Sequence, residues 1–134
     1  MSVGAWEPED TASNSDAQVA IDRAQLERFI DAVRDNNQLP GPLGQDDLAA
    51  SALMRLPAGQ WLEACESLDN EQVWNLIRFF TLAEMQLSGW DGGAESPVIP
   101  LAKSLRRRKA ALDREQLLWI REHSDNRYLP YGPL

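Results

Sequence analysis

The segment from Asp69 to Leu87 most constrains how this chain can fold. Asp69 followed three residues later by Gln72 is a capping-box signature for the start of a helix. A broad apolar face follows at helical spacing, formed by Val73, Leu76, Ile77, Phe80, Ala83 and Leu87. Phe79 and Leu82 fall on the opposite side. A helix that is apolar on both sides is either the central helix of a domain or one face of an interface. The central position is the default expectation, and Phe79 is the candidate contact residue if the second side is an interface.

Helical periodicity and helix-ending residues predict five more helices. A second capping box, Asp113 with Gln116, begins the last of them. The Pro- and Gly-rich stretch 36–44 ends the first. The predicted ranges are 16–36, 46–56, a short helix whose first residue is Pro57, a helix that starts between 96 and 101, and 113–123. No alternating run of β-branched residues lies between turn signals, so strands are not expected. The predicted fold class is all-α, a compact bundle of about five to six helices.

The N-terminal end differs from the helical body. Residues 1–15 are polar, acidic and aperiodic, which predicts a disordered acidic arm in which Trp6 is the one aromatic residue. Residues 16–134 are then expected to form a single helical domain, because the break at 36–44 is too short to separate two domains in a chain of 134 residues.

The C-terminal stretch 126–134 is not expected to form a regular helix, because it contains two prolines and a glycine. Tyr128 and Tyr131 are too apolar for a solvated tail, and each can bury its ring while its hydroxyl keeps a polar partner. We therefore expect an extended strap across the helices, with Asn126 and Arg127 bonded to the acidic body. The alternative is a free recognition peptide, and both tyrosines are candidate partner-binding residues.

The net charge of −8 is unevenly distributed along the chain. Residues 1–95 hold five basic and seventeen acidic residues, whereas residues 96–134 hold eight basic and four acidic residues. The basic part either pairs with the chain's own acidic body or binds an acidic partner. The first of these is the expected arrangement.

The basic run 103–109 is the strongest signal for a partner. Lys103, Arg106 and Arg107 point away from the apolar stripe of their predicted helix, so we assign them as candidate partner-binding residues. A solvated helical face is the simpler interpretation. A nucleic-acid-associated regulator that uses the same run is an alternative, although an acidic body repels phosphates.

Two charged residues fall on apolar stripes, where an unpaired charge is costly. Glu84 projects into the apolar face of the predicted fourth helix, and Arg108 lies on the stripe of the fifth. A buried Glu84–Arg108 pair between packed helices resolves both anomalies. Otherwise Glu84 lines a pocket, with Trp74 and Trp90 as its expected neighbours.

Composition argues against several function classes. One cysteine and one histidine exclude an intrachain disulfide and a Cys/His metal cluster. No stretch of about 18 apolar residues occurs, and the first ten residues lack the features of a secretory signal. We therefore expect no membrane association and a reducing cytoplasm as the compartment. No nucleophilic, acid–base or phosphate-binding pattern is present, so no cofactor and no enzyme activity are expected.

Taken together, these features predict a non-enzymatic protein-interaction or regulatory domain. Its expected partner is another protein or a second copy of the chain. The surplus of five tryptophans and the charge asymmetry favour this function. The alternatives are the nucleic-acid regulator that uses residues 103–109 and a small-ligand pocket, or an enzyme, around Glu84.

Overall fold

Residues 21–34, 43–87 and 89–132 are described by the structure, a computed structural model. Over these residues the chain forms six α-helices and two short 3-10 segments, and no strand. The helices are α1 Arg23–Arg34, α2 Gln45–Leu48, α3 Ala58–Cys65, α4 Asn70–Gln86, α5 Val98–Arg107 and α6 Arg114–His123, and the 3-10 segments are Ser51–Arg55 and Gly93–Glu95. The predicted all-α bundle is confirmed. None of the described helices has the length and apolarity needed to cross a membrane.

Both predicted capping boxes are present. The Asp69 carboxylate accepts the Gln72 backbone N–H at 2.8 Å, and the Gln72 side chain accepts the Asp69 N–H at 2.9 Å. Asp113 and Gln116 repeat this reciprocal pair at the start of α6, at 2.8 and 2.9 Å. Each box satisfies two of the donors that the first turn of a helix leaves unpaired.

The first helix begins later than the sequence predicts. Ile21 and Asp22 are not helical, and the Asp22 carboxylate accepts the backbone N–H of Ala24 at 3.1 Å. Asp22 therefore caps α1, which begins at Arg23. Residues 16–20 and 35–36, which the predicted helix also included, lie outside the described residues, as do the arm 1–15 with Trp6 and the terminal Leu134.

The predicted helix 46–56 is divided in two. Its α-helical part ends at Leu48, and the chain continues as the 3-10 segment from Ser51. The indole Nε1–H of Trp90 donates to the Leu48 carbonyl at 3.1 Å. A tertiary contact therefore supplies a donor to a carbonyl that a longer helix would have satisfied within itself.

Helix α4 lies at the centre of the fold and packs against α1, α5 and α6, while α3 packs against α5. The Phe79 side chain is fully buried, and its ring stacks on Phe29 of α1 with the centroids 4.0 Å apart. The predicted interface role of Phe79 is wrong, because α1 covers this side of α4. The two apolar sides mark a helix that is buried from both directions.

The C-terminal segment, residues 126–132, packs on the helices. Leu129 and Tyr131 contact the core, and residues 127–131 form turns. Gly132 is buried with φ +92°, and a Cβ placed there would lie 3.3 Å from Cγ2 of Ile99 on α5. Only glycine combines this backbone conformation with so close an approach to α5 at low cost.

Candidate interaction face and polar groove

The outer side of α5 presents three basic residues in one patch. Lys103, Arg106 and Arg107 are exposed, while the residues between them face the core. Their spacing of three and four residues places them on one side of the helix. We call this patch, Lys103, Arg106 and Arg107, the cationic face.

The cationic face has no ion-pair partner among the described residues. The salt bridges within residues 21–34, 43–87 and 89–132 are Arg23–Glu27, Arg28–Asp47 and Arg34–Asp31. All of them lie in the acidic body, so the expected pairing of the basic part with that body is not made by the described carboxylates. Like charges on one helix face repel one another, and neutralisation by an outside group would relieve this repulsion.

Arg106 is held in place by the C-terminal segment. Its guanidinium carbon lies 4.4 Å from the centroid of the Tyr131 ring, which is the geometry of a cation–π contact. Tyr131 is half-buried and packs against the core, so its ring is a fixed support. The structure thus brings together Arg106 and Tyr131, which the sequence proposed separately as contact residues.

Arg108 does not belong to this face and does not meet Glu84. Helix α5 ends at Arg107, and Arg108 is its C-cap, followed by Lys109 at φ +61°. The Arg108 side chain donates to the Leu68 carbonyl at 2.9 Å, to Asn70 Oδ1 at 3.1 Å and to the Cys65 carbonyl. These acceptors lie at the end of α3 and just beyond it.

The predicted Glu84–Arg108 pair is therefore wrong. The last carbonyls of a helix need donors, and an arginine there also interacts favourably with the negative end of the helix dipole. Because α5 packs against α3, the guanidinium of Arg108 fills this role.

Glu84 instead joins three segments of the chain through hydrogen bonds from neutral donors. Its carboxylate accepts the Gly92 backbone N–H at 2.8 Å and the Asn126 side-chain amide at 3.2 Å from each oxygen. The same amide donates to the Gly93 carbonyl at 2.9 Å. The expected bond from Asn126 to the acidic body is present in this form.

The surroundings of Glu84 disfavour its charged form. Burial raises the pKa of Glu84, the nearby Asp91 raises it further, and the hydrogen bonds from Gly92 and Asn126 lower it only in part. Glu84 forms no salt bridge with a described cation.

A groove of about 370 Å³ opens beside this carboxylate. Its lining includes Glu84, Met85, Asp91, Asp125, Arg127 and Tyr128. The Arg127 guanidinium lies 5.3 Å from the centroid of the Tyr128 ring and donates to the Tyr128 hydroxyl at 3.4 Å. Among the described residues, Arg127 therefore does not make the expected bond to the acidic body. Tyr128 thus lines the groove, whereas Tyr131 supports the cationic face.

The tryptophans expected around Glu84 lie elsewhere. Trp90 is buried in the core, and Trp74 packs edge-to-face on Trp119 with the centroids 5.8 Å apart. No sequence pattern identifies Asp91 and Asp125 as groove residues. Asp125 is 41 positions from Glu84, so no helical or strand spacing connects the two. Among the described residues, no group of three His, Cys, Asp or Glu side chains is placed to hold a metal ion.

A comparison with protein-family models, with curated proteins and with solved structures gives no match for this chain. Function is therefore inferred from the geometry of the cationic face and of the groove.

Proposed function

We propose that this chain is a non-enzymatic helical domain that binds an acidic segment of another protein through the cationic face. The main support is that Lys103, Arg106 and Arg107 share one exposed side of α5 and form no salt bridge with a described carboxylate. The proposal keeps the cytoplasm as the expected compartment.

The geometry favours recognition with modest affinity. An exposed ion pair contributes about 0.2–1 kcal/mol, and charges at the rim of an interface mainly raise the association rate and the specificity. The support of Tyr131 under Arg106 reduces the side-chain entropy lost when that arginine binds. The expected complex is thus weak and sensitive to salt.

An acidic protein segment fits this chain better than nucleic acid does. The net charge of the chain is −8, and this repels a phosphate backbone over distances longer than the contact itself. A short acidic segment presents fewer charges to that field. A second copy of the chain is a further possible source of acidic groups, and the test distinguishes it.

Fluorescence anisotropy with a labelled glutamate-rich peptide tests the proposal. Replacing Lys103 and Arg107 with glutamine removes two cations and leaves the Arg106–Tyr131 contact in place. The double variant should bind the peptide about fivefold more weakly, as expected for two exposed ion pairs of about 0.5 kcal/mol each. The matched control replaces Arg114 and Arg121, which are exposed on α6, and should lose less affinity.

Three outcomes would contradict the proposal. They are equal losses in the two double variants, tighter binding of a single-stranded oligonucleotide of the same charge, and no peptide binding at low salt. Sedimentation velocity on the unmodified chain detects self-association, and a dimer lost in the Lys103 and Arg107 variant would make a second copy the partner.

The groove beside Glu84 supports a second candidate function, binding of a small organic cation. A half-buried carboxylate without a described cationic partner lies at a groove that also holds Asp91 and Asp125. NMR titration with spermidine should shift the amide signals of Gly92 and Asn126, and Glu84→Gln should abolish the shifts. Equal shifts in Glu84→Gln would rule out this site, and Glu95→Gln, an exposed change of the same charge, is the control.

A further inference from the structure

Residues 1–20, which precede the described part of the chain, carry negative charge, whereas the cationic face is positive. Glu7, Glu9, Asp10 and Asp16 lie within this segment, and it contains no lysine or arginine. It also carries Trp6, an indole of the kind on which a guanidinium stacks. The charge of the segment is therefore complementary to that of Lys103, Arg106 and Arg107.

The point where this segment joins the body lies close to the cationic face. Ile21 and Glu63 border a groove of about 380 Å³ on one side of α3. Glu63 also borders a groove of about 470 Å³ that is lined by Arg107. The groove at Ile21 and the groove at Arg107 thus share Glu63 of α3 as a border.

The length of the segment allows it to cross α3. A helix with its side chains is about 10–12 Å across, and an extended chain advances about 3.3 Å per residue. About three to four extended residues span that width. Twenty residues precede Ile21, so the segment is long enough to pass α3 and reach the cationic face.

The charge pattern of the segment also suits this path. Glu63 and Glu66 are exposed on α3 and repel acidic residues that pass them. Residues 17–20 are Ala-Gln-Val-Ala, which carry no charge. An uncharged stretch next to Ile21 therefore suits a path past Glu63 and Glu66 better than an acidic one would.

We propose that residues 7–16 bind the cationic face of the same chain and compete there with an acidic partner. The competition depends on the proposed function of that face, whereas the intramolecular contact does not. Attachment to the same chain gives the segment an effective concentration in about the millimolar range. Even a weak contact then reduces the apparent affinity for a partner severalfold.

Binding of the labelled glutamate-rich peptide to the full chain tests the competition. The variant Glu7→Gln, Glu9→Gln, Asp10→Asn and Asp16→Asn neutralises the segment, and it should bind the peptide at least about threefold more tightly than the unmodified chain at low salt. The difference should disappear in 0.5 M salt, where the Debye length is about 4 Å.

A matched control separates competition from the general effect of charge. Removing any four acidic charges weakens the repulsion between this chain and an acidic peptide. The control variant therefore replaces four exposed glutamates outside the proposed path with glutamine, namely Glu71, Glu95, Glu115 and Glu122. The proposal requires a larger gain in the segment variant than in this control, and equal gains overturn it.

A distance measurement tests the contact without any partner. A nitroxide on Ser13→Cys in the full chain should broaden the amide signals of Lys103, Arg106 and Arg107, and neutralising the four acidic residues should remove the broadening. Unmodified chain treated with the same reagent is the control, because Cys65 is buried.

The two measurements separate the two proposals. Broadening on α5 without peptide binding would support the intramolecular contact and contradict the function proposed for the face. Peptide binding without broadening on α5 would overturn the contact and leave that function standing.

Discussion

The acidic regions around Asp47, which is buried, and around Glu84, which is half-buried, differ in the charge of their partners. Asp47 is 4% exposed, and its carboxylate accepts two hydrogen bonds from Arg28 at 2.9 Å and one from Gln25 at 3.1 Å. Glu84 is less buried and accepts only from a backbone N–H and a side-chain amide.

The pKa values of the two acids move in opposite directions. The Arg28 hydrogen bonds lower the pKa of Asp47 more than burial raises it. Burial raises the pKa of Glu84, because its neutral donors stabilise the carboxylate less than a guanidinium would. At Asp47 the charged partner outweighs burial, whereas at Glu84 burial outweighs the neutral hydrogen-bond donors.

The neighbourhoods of the two acids differ as well. The Asp47 region adjoins the aromatic core, where Phe29 stacks on Phe79 and Trp90 donates to the carbonyl of Leu48. The Glu84 region opens onto the groove with Asp91 and Asp125. Both carboxylates border a groove, of about 470 Å³ at Asp47 and about 370 Å³ at Glu84, but only Asp47 is paired with a described cation.

The largest expected effect tests the aromatic core that adjoins the Asp47 region. Phe79→Ala should lower the free energy of unfolding by about 3–5 kcal/mol, because it removes a buried ring that stacks on Phe29. Urea denaturation followed by circular dichroism measures the loss. Met85→Ala on the same helix is the control, since that side chain is 49% exposed. A cost below about 1 kcal/mol for Phe79→Ala would contradict the packing of Phe79 in this core.

The next effect concerns the cation-paired acid. Asp47→Asn should lower the free energy of unfolding at pH 7 by about 1–2 kcal/mol, a value that allows for solvent screening at the half-exposed Arg28. The stability that Asp47 contributes is present above the ordinary aspartate pKa, and it is lost as the pH falls through the lowered pKa in the folded state. Chemical denaturation between pH 2 and 7 measures both effects.

The exposed neighbour Asp46 is the control for this prediction. Asp46→Asn should change the free energy of unfolding by less than about 0.5 kcal/mol. If the two variants were equally stable, the Arg28–Asp47 pair would contribute nothing beyond an ordinary surface charge.

A smaller effect is expected at the amide that connects Glu84 to the C-terminal segment. Asn126→Ala removes the bonds to Glu84 and to the Gly93 carbonyl and should cost about 1 kcal/mol. Asp125→Ala is the neighbouring control, because that residue is exposed. In a double-mutant cycle with Glu84→Gln, the two changes should be non-additive. Additive effects would indicate that the two side chains do not interact.

The smallest expected change in the free energy of unfolding at pH 7 is that of Glu84→Gln. The informative measurement is how this change depends on pH. The raised pKa means that the contribution of Glu84 to stability is greatest below the ordinary glutamate pKa and is lost as the pH rises through the folded-state value. Glu84→Gln should therefore gain stability relative to the unmodified chain as the pH rises, which is the opposite of the trend at Asp47. Parallel pH trends in Glu84→Gln and Asp47→Asn would refute the comparison, and Glu95→Gln is the control.

Much of the secondary structure is predictable from nearby residues. The reciprocal bonds of Asp69 with Gln72 and of Asp113 with Gln116 join residues three positions apart, so their signal is present in the sequence as written. The prediction was less accurate where a distant residue intervened. Trp90, 42 positions from Leu48, binds the carbonyl at which α2 ends.

The candidate sites show the same division between features set by nearby residues and features set by distant ones. The outward direction of Lys103, Arg106 and Arg107 follows from the apolar stripe of α5 and is confirmed. The support of Arg106 by Tyr131 and the groove at Glu84 depend on residues 25 and 42 positions away. Helical periodicity relates only residues on one helix, so it contains no information about these contacts.

The sequence by itself determined where two helices begin, which side of each helix is apolar, and which cations of α5 face outward, because these properties depend on residues within about one helical turn. Tertiary structure alone decided that Arg108 binds the end of α3, that Glu84 meets Asn126, and that α1 covers Phe79. A long polar side chain takes whichever unpaired group the packing of the helices brings within reach. That group is set by how the helices are arranged in space, which no local pattern encodes.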